Sequence, residues 1–222
     1  WGNHNRLNGA FFNATQHTPF YTPDLSRPVI QKLWDRDYAG RLTWQATTNN
    51  KVTVSHNEQQ SCFCDFQGSP AQAPESAIRY TYHTRLTQAT WTMPAGSRLL
   101  FQAGASYFWG GSQSKVTGDV LPTDIGMNDV GLGIIYGAPT SGFPSNAVPN
   151  DGVESRPLYS RFSTAYVTGS HAFKVGLAST EGWHDSNARV NESLAYTFLN
   201  RRPSSLTQFA SPFSQRLRVR SM

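Results

Sequence analysis

The chain has 222 residues, of which 15% are charged and 13% aromatic, with a formal net charge of +5. Few charges beside many aromatics and small polar residues suit an all-β protein with two different faces, and argue against a helical enzyme. The basic residues are scattered, with only Arg201-Arg202 and Arg216, Arg218 and Arg220 close together, so no nucleic-acid partner is expected.

No run approaches the ~20 apolar residues of a transmembrane helix. The opening residues, Trp1 to Arg6, lack the apolar core of an export leader. The missing initiator Met suggests a piece of a longer protein. A transmembrane β-strand needs only ~9–11 residues, every second one apolar. A mean hydropathy of −0.47 permits that.

Residues 1–37 are rich in Asn, Pro and aromatics. A strand end is expected at Asn8 to Phe12, then a loop, because Pro19, Pro23 and Pro28 lack the N–H of a ladder. A short helix from Pro28 to Trp34 is the alternative there. From Tyr38 the pattern has period two: Tyr38, Gly40, Leu42, Trp44 and Ala46 share one face, Arg41, Thr43 and Gln45 the other. Asn49-Asn50 tolerates the positive φ of a tight turn, so a hairpin is expected.

An irregular segment, 61–79, holds both cysteines. Strands are then expected at Tyr80 to Met93 and Arg98 to Trp109, joined by a turn at Pro94 to Ser97. Residues 110–156 read as one long loop, containing a short strand near Val130 to Tyr136. A third hairpin is Leu158 to Val167 and Ala172 to Thr180, turning at Gly169-Ser170. A looser loop holds Trp183, His184 and Asp185. Further strands are expected at Asn191 to Leu199, Leu206 to Phe209 and Gln215 to Val219. Short and long connections alternate. An up-and-down antiparallel meander would place all short turns at one rim and all long loops at the other, as in outer-membrane barrels.

Gly40 to Thr47, Gln88 to Thr92 running into Arg98 to Gly104, and Ala165 to Gly176 resemble the barrel of TonB-dependent outer-membrane receptors. The type carrying an N-terminal carboxypeptidase-regulatory-like domain is the most similar. The Cys-x-Cys segment and Leu206 to Phe213 add to the likeness, which spans most of residues 35–215. The resemblance implies a 22-stranded barrel, plugged by an N-terminal domain, that imports a scarce ligand with energy relayed by the TonB complex. Residues 1–222 would be an interior slice of that barrel. Its partners would be outer-membrane lipid, the remaining strands and plug, and an unidentified small ligand. The 110–156 loop would be extracellular.

Cys62 and Cys64 admit a metal or redox pair, a tight disulfide, or free thiols. The disulfide is the candidate, and no metal site or cofactor is expected. Arg41 and Gln45 are candidates for a polar lumen wall, and Trp183 and His184 for a ligand-contacting loop rim. Asp119, Asp124, Asp129 and Asp151 lack calcium-loop spacing and read as solvated acids. Arg85 falls on the apolar face by strict alternation; either it lies above the bilayer or a bulge shifts the register. Trp44, Trp91, Tyr107, Trp109 and Tyr166 suit interfacial aromatic girdles. No nucleophile–base–acid set is legible, so no enzyme is expected. The competing expectation is a secreted β-sandwich binding carbohydrate through exposed aromatics.

Overall fold

The computed structural model describes residues 2–67, 70–116, 119–140 and 151–222. Among these the protein is all-β, with two 3-10 turns and no α-helix. The chain opens with five strands of one long sheet, β1 (Gly2–Asn13), β2 (Pro23–Thr47), β3 (Asn50–Gln67), β4 (Ile78–Ala95) and β5 (Leu99–Val116). Two short strands of a second sheet follow, β6 (Gly126–Asp129) and β7 (Ile134–Gly137), and then β8 (Asp151–Ser155) and β9 (Leu158–Thr168), which return to the long sheet. The chain finishes with β10 (His171–Ala188), β11 (Leu194–Leu199), β12 (Arg202–Gln208) and β13 (Phe213–Ser221).

A nine-stranded antiparallel sheet runs β1-β2-β3-β4-β5, then β8 and β9 in one file, then β10 and β13. The turns at 48–49, 96–98 and 169–170 sit at one end, because the registers set Lys51 opposite Thr92 and Leu99 opposite Tyr166. Gly96 and Gly169 take positive φ in two of them, which a side chain would resist. All long connections leave from the opposite end.

The strands extend further toward the loops than period two alone indicated. β3 continues to Gln67, β5 to Val116 and β10 to Ala188. The expected 110–156 loop therefore begins with strand and contains three short ones; 117–118 and 141–150 lie outside the described residues. Likewise, 183–188 is strand, not loop. The Pro28 to Trp34 segment is strand and not helix: Asn3 pairs with Trp34 and His4 with Leu33. Proline is tolerated because Pro23 opens β2 and Pro28 lies between two register shifts of β1. Pairing with β3 starts only at Lys32, so neither proline leaves a ladder bond unmade on that side.

β8 and β9 are one strand broken at Arg156-Pro157. The break is bridged, since Arg156 donates its N–H to Trp183 O and Phe108 donates to Pro157 O, each at 3.0 Å. Gly182 fits here because a Cβ would stand 2.6 Å from Pro157 Cα.

The meander is corrected in one respect. β11 and β12, expected within it, leave the long sheet and join β6 and β7 in a four-stranded sheet ordered β12-β11-β6-β7, with β11 parallel to β6. The segments that build this sheet come from two different long connections, which no local pattern ties together. Ala73, Ile134 and Tyr136 form a small core with Tyr21 and Met127 against it, and Ala10, Val29 and Ala77 form another with Phe12. Both lie at the loop end. The turn half of the long sheet is exposed on both faces.

Candidate functional site

Residues directly opposite one another in an antiparallel ladder share a face. Trp44 lies opposite Val52, Val52 opposite Trp91, Trp91 opposite Ala103, Ala103 opposite Phe162, and Phe162 opposite Leu177. One apolar row thus crosses six strands. Leu42, Val54, Phe101, Tyr166, Phe173 and Val175 stand in neighbouring rows of the same face. Their exposure is large: 62% for Trp44, 68% for Val175, 70% for Leu42 and 80% for Leu177. From the turns up to the level of Ala105 this face carries no Asp, Glu, Lys or Arg among the described residues; Glu181 and Arg220 appear at the level of Tyr107. The other face at the same levels carries Arg41, Lys51, Arg161 and Lys174, with Thr43 and Thr53 hydroxyls 3.3 Å apart and Lys174 Nζ donating to Gln102 at 3.4 Å.

The apolar face changes character toward the loops. At the level of Trp109 it becomes a belt of ion pairs and aromatics. His83 Nε2 meets Glu58 Oε1 at 2.6 Å, Arg85 lies 3.6 Å from the same oxygen, and its guanidinium stands 5.3 Å from the centroid of Trp109. Trp109 Nε1 donates to Glu154, which also accepts Arg156 Nη2 at 2.6 Å. Arg216 bonds Asp185 through Nε at 2.5 Å and Nη2 at 2.9 Å, and Arg218 reaches Glu181 at 2.5 Å. A cleft of about 930 Å³ opens here, lined by Trp34, Gln60, His83, Trp109, Glu154, Asp185 and Arg216 among others. Register supplies it: His83 is opposite Gly111, Gly111 opposite Glu154, Glu154 opposite Asp185, and Asp185 opposite Arg216. At the centre of that row Gly111 makes room for the Trp109 indole, whose ring atoms would stand 3.2 Å from a Cβ there.

Arg85 sits on the apolar face with unbroken pairing from Ile78–Val116 to Ala95–Leu99, so no bulge rotates it away. Trp44, Trp91, Tyr107, Trp109 and Tyr166 all share that face. Arg41 and Gln45 share the polar face near the turns. Arg41 borders a shallow hollow of about 240 Å³, and Gln45 Nε2 donates to Thr47 O at 2.7 Å. Trp183 and His184 are neighbours on β10 and therefore project from opposite faces. Trp183 receives the Arg156 guanidinium 5.9 Å from its ring centroid. His184 Nδ1 lies 2.6 Å from Ser155 Oγ. Asp185, on the other face, belongs to Arg216. The four candidates do not converge.

Comparison with known protein families, with curated proteins and with solved structures gives no match.

Cys62 and Cys64 are joined by a disulfide, with Cα atoms 5.1 Å apart. They lie within β3 and are buried, not in an exposed loop. Two residues of extended strand span about 6.6 Å, so the strand is pinched here, and pairing with β4 shifts just beyond, between Phe63 and Gln67. Among the acids, Asp124 pairs with His17 at 2.9 Å. Asp129 is no solvated acid: it is fully buried. No group of three or more metal-ligating side chains occurs among the described residues. The members of the belt that sequence reading passed over, Glu58, His83, Glu154 and Arg216, sit on four different strands. Only their parity with Trp109 and Trp183 could have singled them out.

Proposed function

We propose that this sheet is a section of the wall of an outer-membrane β-barrel of the TonB-dependent receptor type, and that the whole protein imports a small ligand. The observation that carries this reading is the uncharged, exposed apolar face at the short-turn end, backed by a polar face. In water such a surface would be an aggregation hazard; against lipid it is the stable arrangement, with the polar face turned to the lumen. The dimensions agree. Leu99 to Tyr107 spans about 26 Å of strand at ~3.3 Å per residue, and a tilt of ~40° reduces that to a height of roughly 20 Å, most of the ~25 Å apolar band of such barrels. Tyr166, opposite Leu99, lies at the lower edge of this band, Tyr107 and Trp109 mark the upper, and Trp44 and Trp91 stand between them in the row of Leu177.

Within this reading, the short turns are periplasmic and the small sheet is extracellular. The test is single-cysteine labelling of the full-length protein in intact cells, in a Cys62→Ser, Cys64→Ser background. Cysteine at Leu132 should label from outside, and cysteine at Asn49 or Ser170 only after the outer membrane is opened. Equal labelling of all three, or recovery of the protein in the soluble fraction, sinks the proposal.

One observation favours a second reading, carbohydrate binding. The cleft brings Trp34 and Trp109 together with amide side chains of Gln60, Gln113 and Asn187, a combination that suits stacking and hydrogen bonding to sugars. Glycan binding that disappears in Trp109→Ala would support it, and unchanged binding would remove it.

A further inference from the structure

Above the apolar band the two faces of the long sheet part in charge. Between the levels of Trp109 and Lys115, the face opposite to Trp109 carries no Lys or Arg among the described residues. It holds Asp35 and Asp37 instead, the latter accepting Asn57 Nδ2 at 2.9 Å. The cations are on the face of Trp109. One row there runs from Arg36 through Gln60, His83, Gly111, Glu154 and Asp185 to Arg216, with a cation at each end. Arg85 lies opposite Trp109 and Arg218 opposite Trp183, and Lys115 stands further up the same face.

The acids of the belt do not exhaust these cations. Asp185 engages Nε and Nη2 of Arg216, whose side chain is still 73% exposed. Arg85 stays 3.6 Å from Glu58 and is half exposed. Arg36 faces Gln60, not an acid, and lies over Trp34, 4.7 Å from the ring centroid. Glu181 lies opposite Arg220 but bonds Arg218.

The cleft of about 930 Å³ sits within this belt, walled by the Trp34 and Trp109 rings and by the Gln60, Gln113 and Asn187 amides. Rings and amides suit a sugar. An arginine fork matches the geometry of a phosphate. Arg85 and Arg216 flank the cleft four strands apart, about 19 Å at ~4.8 Å per strand. Two long side chains reaching inward from that separation suit a disaccharide with a phosphate at each end. Below the cleft the same face continues through Tyr107 into the row of Phe162 and Leu177, where hydrocarbon would rest.

We propose that the belt holds the headgroup of an acylated, phosphorylated sugar lipid of the outer leaflet. Arg85 and Arg216 take its phosphates, Trp34 and Trp109 flank its sugars, and its acyl chains run down the apolar face. This rests on the reading of the long sheet as a barrel wall.

The test is native mass spectrometry of the detergent-solubilised full-length protein titrated with lipid A, an acylated diglucosamine carrying two phosphates. Dephosphorylated lipid A and phosphatidylcholine are titrated beside it. Lipid A should bind saturably and at least about tenfold more tightly than either. Arg85→Gln combined with Arg216→Gln should remove that preference, and Arg161→Gln, on the polar face, should leave it. Glucosamine 1-phosphate, which lacks acyl chains, should not displace lipid A at millimolar concentration. Equal binding of dephosphorylated lipid A, displacement by the soluble sugar phosphate, or an unchanged preference in the double variant would each overturn the proposal. The first two use the unaltered protein, so they decide even if the double variant fails to fold. Folding into phosphatidylcholine vesicles without glycolipid is measured alongside. Failure there removes the barrel-wall reading and this proposal with it; folding without a preference for lipid A removes this proposal alone.

Discussion

Asp129, at the end of β6, accepts the backbone N–H of Arg201, 72 residues later, at 2.7 Å. The same carboxylate accepts Asn200 N at 3.0 Å, Gly131 N at 3.0 Å and Leu132 N at 3.1 Å. One buried side chain thus holds two turns from two long connections and fixes the parallel pairing of β6 with β11. Burial by itself would raise its pKa, but the four amides outweigh burial and hold it below the usual carboxylate value.

Asp129→Ala should loosen the four-stranded sheet, because four amides lose a charged acceptor inside the fold. A cost of about 3 kcal/mol is expected, read as faster hydrogen exchange at Asn200 and Arg201 with the long sheet unaffected. The sign with pH follows from the lowered pKa. The stabilisation is present above the unfolded value of 3.8 and is lost as pH falls through the lower folded value. Acid should therefore open these turns only at strongly acidic pH.

Glu75 behaves oppositely. Burial lifts its pKa from 4.5 to about 6, so the folded state binds the proton more tightly than the unfolded chain. Stability is greatest below 4.5 and is lost as pH rises through about 6. The difference is about 2 kcal/mol. Glu75→Gln should raise the thermal stability of the loop end at pH 8 and leave it unchanged at pH 4. A lowered transition at pH 8 would contradict this account.

Leu177 and Lys174 separate a lipid-facing surface from a wet one. Leu177 is 80% exposed at the centre of the apolar face. In water, Leu177→Arg would be nearly neutral. Against a bilayer midplane it should cost about 2–4 kcal/mol in folding into lipid vesicles. Lys174→Gln, on the polar face, should leave that folding free energy almost unchanged.

The β11–β12 turn is strained in a correctable way. Asn200 and Arg201 have φ of 51° and 66°, the left-handed pair that a two-residue hairpin demands. Arginine resists that region and glycine does not. Arg201→Gly should therefore raise the stability of the four-stranded sheet by up to about 1 kcal/mol, whereas Arg201→Val should lower it. Hydrogen exchange at Leu199 and Arg202 reports both.

Strand parity and turn chemistry were legible in the chain itself. Leu42 and Trp44 alternate with Arg41, Thr43 and Gln45, and the short turns alternate with long connections, because the side-chain period of a strand is a local property. That was enough to read an all-β sheet with one apolar and one polar face, and to place Arg85 on the apolar side. Proline misled: Pro28 reads as a break, yet it falls where neither neighbouring strand needs its N–H. Tertiary structure alone decided the rest. The sorting of β11 and β12 into a second sheet depends on Asp129 meeting Asn200 and Arg201. The belt depends on the register that sets Glu154 between Gly111 and Asp185. The isolation of Glu75 depends on loops from four parts of the chain closing around it. Pairings across seventy residues or more leave no period in the sequence, since the energy that selects them is realised only when the distant partners are already in place.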